Sequence, residues 1–176
     1  MNDTKQVAKD LLGKTLIRKI GTQVLSGVIT ETEAYKGKND PASHASRKMT
    51  VRNKIMFGEV GVAYVYFTYG MHYCFNVVAK KKNDKAGAVL IRAIQPQQGI
   101  NHMIKNRKTD IISNLTNGPG KLTQAMQITL KQYNHDLTKK SSLFIIDSEK
   151  PNKIIAKPRV GIKIGVDKLW NFSYKI

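Results

Sequence analysis

The sequence predicts an α+β fold: a single domain with a curved antiparallel β-sheet, flanking helices and one protruding β-hairpin. Three observations predict it. Extended runs rich in β-branched and aromatic residues fill the chain as far as Ala93. After Pro96 the apolar spacing lengthens to the helical period, so strands come first and helices follow, as in α+β rather than alternating α/β folds. A chain of 176 residues can bury one core and is short for two, so residues 1–176 are read as one domain.

Val7, Ala8, Leu11 and Leu12 share a helical face, which predicts a short amphipathic helix leading into Gly13. Residues 14–20 and 24–35 read as strands joined at Gly21-Thr22, a good hairpin joint. Gly, Asn, Asp, Pro and Ser then mark 36–46 as an ordered functional loop or a connection. Residues 62–67 and 72–79 form a hairpin crowded with aromatics, and its tip, Tyr69-Gly70-Met71, pushes an apolar wedge outward. Residues 88–93 make a further buried strand. Ile100, Met103 and Ile104 predict a helix, and Ile111, Ile112 and Leu115 predict another. Gly118-Pro119-Gly120 precedes an expected helix over 121–129, and residues 143–147 and 160–166 are expected as closing strands.

The charge balance narrows the partner. Thirty Lys and Arg face twelve Asp and Glu, a net +18, which points to a polyanion or else to a Lys-rich proteome that inflates surface charge everywhere. Residues 60–83, around the wedge, hold no acidic side chain and close on Lys80-Lys81-Lys82, as a phosphate-facing surface requires. A basic body with an exposed aromatic wedge suggests base flipping, in which a side chain fills the gap left by an extruded base. No apolar run approaches the roughly 20 residues of a membrane span, and residues 1–12 carry no secretory pattern. Cys74 alone allows no internal disulfide. A cytoplasmic location, nucleoid-associated if the source is bacterial, is therefore expected, and secretion is not.

Strand alternation over 28–35 puts Ile29, Glu31, Glu33 and Tyr35 on one face. Two carboxylates about 6.5–7 Å apart on one face can frame a water beside a glycosidic carbon, or be exposed strand residues in surface ion pairs. The four histidines, His44, His72, His102 and His135, are scattered without metal-ligand spacing, so no metal and no other cofactor is expected. His44, in a Pro/Ser loop, is either a locally bonded surface residue or a functional one. Nucleophile-elbow motifs are absent, and no lysine is marked as a Schiff-base former. Gly118-Pro119-Gly120 is either a tight turn or a phosphate cradle, but not a Walker loop. Tyr64, Tyr66, Tyr73, Phe67 and Phe75 fit core and cross-strand packing, whereas Tyr69, beside Gly70 at a turn, is hard to bury.

ETEAY at 31–35, DPASHAS at 40–46, Arg52-Asn53 followed by Met56-Phe57-Gly58, YVYFTYGMHYCFN at 64–76, GAVLIRA, GPGKLTQA and RVGI occur in order. Together they closely resemble the alkyladenine (3-methyladenine, methylpurine) DNA glycosylase family, from about Leu11 to Ile164. The resemblance implies a monomeric, monofunctional glycosylase without cofactor, acting on double-stranded DNA that contains alkylated or deaminated purines and leaving an abasic site. It implies that Glu33 deprotonates the attacking water, held also by Arg92 and the Val160 carbonyl, with Glu31 as supporting structure. Tyr35, His44, Tyr66 and Asn76 match the base pocket, Asn76 crowding the 2-amino group of guanine. Tyr69 matches the residue inserted into the duplex, with Met71 beside it in the wedge. Arg52, Gly120 and Lys121 are expected at the DNA backbone.

The sequence departs from the family pattern twice. Val51 stands where proline is usual, a tolerable change, and Asn171-Phe172 replaces an Arg-Phe pair shortly before the end at Ile176, which leaves open how the last strand packs. The alternatives are a nucleic-acid-binding module that kept fold and charge without turnover, and a tRNA-binding domain of related shape. Glu33, Arg92 and Tyr69 argue against both, because a pure binder has no use for a water-activating carboxylate facing a polyanion.

Overall fold

The computed structural model describes residues 2–175. Helix α1 (Thr4–Asp10) is capped by Asp3, whose side chain accepts the Lys5 N–H at 2.9 Å. The helix is tied to the sheet by the Thr4 hydroxyl on the Ala79 carbonyl and the Thr32 hydroxyl on the Ala8 carbonyl. Strands β1 (Thr15–Ile20) and β2 (Gln23–Lys36) form the predicted hairpin, and β3 (Ala63–Thr68) and β4 (His72–Val78) form the aromatic one. Then come β5 (Gly87–Gln98), α2 (Ile100–Arg107), α3 (Pro119–Ala125) and the short strands β6 (Leu143–Ile146), β7 (Ile155–Lys157) and β8 (Asn171–Ser173).

All pairings among these strands are antiparallel, in the order β3-β4-β5-β2-β1-β6, with β8 bridging β2 and β7, and the sheet curls into a half-barrel. The fold is α+β, as the patterning predicts. Alternation along the strands builds two faces. Val65, Phe75, Val77, Val89 and Ile91 join α1, α2 and α3 in the main core with Leu16, Leu25, Met103 and Leu122. Tyr64, Val78 and Ala88 point the other way, into a smaller cluster with Ala45, Ile55 and Met56 from the long connection after β2. The candidate site lies on this second face.

Four expectations need correction. The segment 160–166 is not a strand: Gly161 and Gly165 take positive φ, and Val160, Ile164 and Val166 stay exposed, so the apolar alternation has no sheet to join. The closing strands are β7 and β8 instead. Ile112–Asn114 makes only a single 3₁₀ turn, because Ser113, Asn114 and Asn117 favour turns and Ile111 and Ile112 remain exposed. Helix α3 starts two residues early, at Pro119, whose fixed φ suits a first helical position, and ends by Gln127, which adopts a left-handed φ of 50°. Strand β5 continues through Pro96, which faces Gly27 across an irregular register. A Cβ on Gly27 would meet the Gln95 carbonyl oxygen at 2.7 Å, so the close approach requires glycine. The last strand packs fully: Phe172 is in the main core and β8 pairs with both neighbours.

Candidate active site

One irregularity in β2 creates the site. Ile29 faces Ile94 and Glu31 faces Ala93, so Thr30 is an extra residue, and on β5 Arg92 is skipped between Ala93 and Ile91. Leu25 and Ile29 belong to the main core before the bulge, and Ala34 does after it, with Thr32 buried beside α1. The odd-numbered residues therefore change face at the bulge. Glu31, Glu33 and Tyr35 share a face as alternation predicts, but Ile29 does not join them. At the same place the outer neighbour of β2 changes from β1 to β8, which brings Asn171 opposite Glu33.

Glu33 has no accessible surface and is held on three sides. The Tyr35 hydroxyl donates to Oε2 at 2.7 Å, the Val160 backbone N–H donates to Oε1 at 2.7 Å, and Asn171 Nδ2 donates to the same oxygen at 3.0 Å. Asn171 Nδ2 also donates to Glu31 Oε1 at 2.7 Å. Arg92 Nε lies 3.4 Å from Glu31 Oε1 and 3.6 Å from Glu33 Oε1, supplying the enclosed positive charge, and Lys157 reaches Glu31 from the more exposed side at 3.7 Å. These carboxylates are thus not surface ion pairs. Three N–H or O–H donors and an arginine converge on one buried carboxylate. Burial and the Glu33 charge push the Tyr35 phenol far above its ordinary value, so it stays a donor.

Beside this cluster opens a cavity of about 360 Å³ lined by Tyr35, His44, Tyr66, Asn76, Arg92 and Val160 among others, with Tyr69 at its rim. The structure therefore gathers every residue expected in the base pocket around one hollow. His44 and Tyr66 meet edge to face at 4.7 Å between ring centres. His44 Nδ1 shares a hydrogen bond of 3.0 Å with the Tyr64 hydroxyl, whose ionisation burial pushes up to about 12. Loss of water on the packed side of the His44 ring, and then the Arg52 charge, hold its pKa below the ordinary imidazole value. The pocket walls are thus neutral at physiological pH, apart from Arg92. Asn76 is buried and spends its Nδ2 on the Tyr64 carbonyl at 3.0 Å.

The hairpin tip stands clear of the body. Tyr69 and Gly70 have φ of 51° and 68°, the pattern of a type I′ turn, and the Met71 N–H donates to Thr68 O at 3.3 Å. A tyrosine in left-handed backbone is strained by roughly 1–2 kcal/mol. Tyr69 is 84% exposed and Met71 70% exposed, so nothing in the chain compensates that strain by burial.

Met71 lies off the cavity, in an adjoining groove between the hairpin and α3. Arg52 lays its guanidinium over Tyr66 at 4.8 Å and donates to the Phe67 carbonyl at 3.0 Å, bracing the pocket wall while remaining exposed. Lys121 bonds to Asn114 and, at 2.9 Å, to Asn117. A Cβ on Gly120 would approach the His72 ring at 3.0 Å, so that glycine serves helix–hairpin contact. Asn171, Asp40 and Arg159 were not singled out by sequence reasoning. Asp40 lies in the DPASHAS block, Arg159 directly precedes Val160, and Asn171 was noted only as a departure from the Arg-Phe pair, without a role in the site. Among the described residues no group of three His, Cys, Asp or Glu is placed to hold a metal, and no helix is long and apolar enough to cross a membrane.

Comparison with known proteins gives the family of the chain. Residues 1–175 match the family model described as methylpurine-DNA glycosylase. A protein of Prosthecochloris aestuarii to which 3-methyladenine DNA glycosylase activity is ascribed is 50% identical over 173 residues, covering 95% of this chain and 81% of the relative. Proteins with the same ascription from Carboxydothermus hydrogenoformans and Methanocella arvoryzae are 47% and 45% identical, each across 98% of this chain and 91% and 88% of their own lengths.

Proposed function

Because this chain belongs to the methylpurine-DNA glycosylase family, we propose that it flips alkylated or deaminated purines out of duplex DNA and hydrolyses their N-glycosidic bond with an activated water. At the coarser level it is a DNA glycosylase, a hydrolase of N-glycosyl bonds that acts on DNA.

The observation that carries this reading is the fully enclosed Glu33, held by three donors directly behind a tyrosine-lined cavity. Glu33 has no accessible surface, so the water enters along the wall that Arg92 and Val160 form. The water oxygen bonds to C1′ as the C1′–N bond breaks, the bonding pair leaves with the base, and Glu33 takes the water's proton. Glu33 and the arrangement around it also stabilise the oxocarbenium-like transition state. An alkylated purine cation is already a good leaving group, and it stacks well on the faces of Tyr35 and Tyr66. Tyr69 fills the gap in the duplex, and Arg52, Gly120 and Lys121 border the DNA backbone. The product is an abasic site with the backbone uncut, made by a monomer.

The test is release of free 3-methyladenine from methylated duplex DNA by the wild type and by Glu33→Gln at equal, verified folding. Release by the wild type that disappears in the variant supports the mechanism, and equal release by both refutes Glu33 as the base.

A further inference from the structure

We infer that Asn171 is a positioning residue for excision, one that clamps the Glu31 and Glu33 carboxylates together and aims the reactive one. The inference rests on reading Glu33 as the water-activating base.

The geometry is specific. Asn171 has no accessible surface, and its Nδ2 carries two hydrogens, one spent on each Oε1 oxygen. Its Oδ1 is buried without any partner. An amide turned the other way would press that oxygen against two carboxylates, so the orientation follows from charge, at the cost of an unsatisfied acceptor. Strand register supplies the placement: Asn171 is the cross-strand partner of Glu33 on one side and of Lys157 on the other.

The arrangement also answers an electrostatic difficulty. Two carboxylates point at one nitrogen, and the enclosed cation beside them, Arg92, has a buried Nε that makes no hydrogen bond to either. Lys157 is half exposed and reaches only Glu31. Two anions crowded together raise each other's proton affinity unless donors intervene. Without the Asn171 donors Glu33 keeps the Tyr35 hydroxyl and the Val160 N–H, but Glu31 loses its donor. A proton taken up as pH falls is then shared between the two facing Oε1 atoms and engages Glu33. A protonated Glu33 cannot accept the proton of water, so excision would fail first on the acid side.

The experiment measures single-turnover purine release from methylated duplex DNA across pH for the wild type, Asn171→Leu, Asn171→Asp and Glu33→Gln, with folding verified by thermal unfolding. Leucine keeps the bulk without donors, and aspartate keeps the shape but adds a third carboxylate. The expected result is an acid limb displaced to higher pH by about one unit or more in Asn171→Leu, which makes release about tenfold slower below the limb, and displaced further in Asn171→Asp. If leucine at 171 does not fold, the near-isosteric aspartate decides by the same displacement. A folded variant whose acid limb coincides with that of the wild type overturns the role of Asn171, even when Glu33→Gln is inactive. Wild-type release by Glu33→Gln overturns the reading beneath it instead, so the two failures are distinguishable.

Discussion

Asp40 and Arg159 form a bidentate ion pair, Oδ1 to Nη2 and Oδ2 to Nη1 both at 2.7 Å, with no accessible side-chain surface on either residue. Arg159 also donates to the Ala34 carbonyl at 3.0 Å and lies between the rings of Tyr35 and Trp170, at 4.7 and 5.1 Å. The pair fastens the loop that carries His44 to the segment whose Val160 N–H holds Glu33. It therefore fixes two parts of the site that are remote in sequence.

Breaking that pair should be severe. Asp40→Ala leaves a buried guanidinium without its counter-charge, and the expected loss is about 3–5 kcal/mol of stability, read from the urea midpoint. A loss below about 1 kcal/mol would show that Arg159 finds water or another partner and that the pair does not anchor the loop.

The strained turn makes a different prediction. Tyr69→Gly relieves the left-handed strain but frees the unfolded chain, so stability should stay within about 1 kcal/mol of wild type. Purine release from duplex DNA should fall about tenfold or more, because the cost of unstacking, a few kcal/mol, loses its compensation. Unchanged single-turnover release would exclude Tyr69 as the wedge.

Local signals explain what was legible in the sequence. Alternation located the strands, the aromatic hairpin and the shared face of Glu31, Glu33 and Tyr35, because each depends on neighbours within a few residues. It misplaced Ile29, since the extra residue at Thr30 is a tertiary matter of how β2 changes partner from β1 to β8. Alternation misled outright over 160–166, where Val160 and Ile162 line the cavity and Ile164 and Val166 stay exposed instead of entering a sheet. Asn171 stood out only as a departure from the Arg-Phe pair, because its contacts with Glu31 and Glu33 come from cross-strand neighbours far back in the chain. The ordered blocks from ETEAY to RVGI carried the assignments that spacing alone left open.

His44 gives a pH prediction with a definite sign. Its folded-state pKa lies below the unfolded value of about 6.5, lowered by packing against Tyr64 and Tyr66 and then by Arg52. As pH falls, the unfolded chain binds the proton first. Stability is thus unaffected above about 6.5 and is lost as pH drops from there toward the folded value. His44→Gln should lose less stability than wild type over that interval, as measured by urea unfolding. Arg52→Met should move the His44 titration, followed by NMR, to higher pH. A titration unchanged by Arg52→Met would mean that the guanidinium does not act on the ring.

The charge predicts how the protein meets DNA. With a net +18 and no acidic side chain from Val60 to Asn83, affinity for undamaged duplex should come mainly from displaced counterions. The logarithm of the binding constant should fall linearly with the logarithm of salt concentration, losing about 0.9 in slope for each phosphate neutralised. Lys80→Ala, Lys81→Ala and Lys82→Ala together should flatten that slope without altering the pH profile of excision, because these residues lie outside the cavity and the carboxylate cluster. Fluorescence anisotropy of a labelled duplex across a salt series measures both slopes. An unchanged slope in the triple variant would place the phosphate contacts elsewhere on the surface, and a flat wild-type titration would remove electrostatics as the source of affinity.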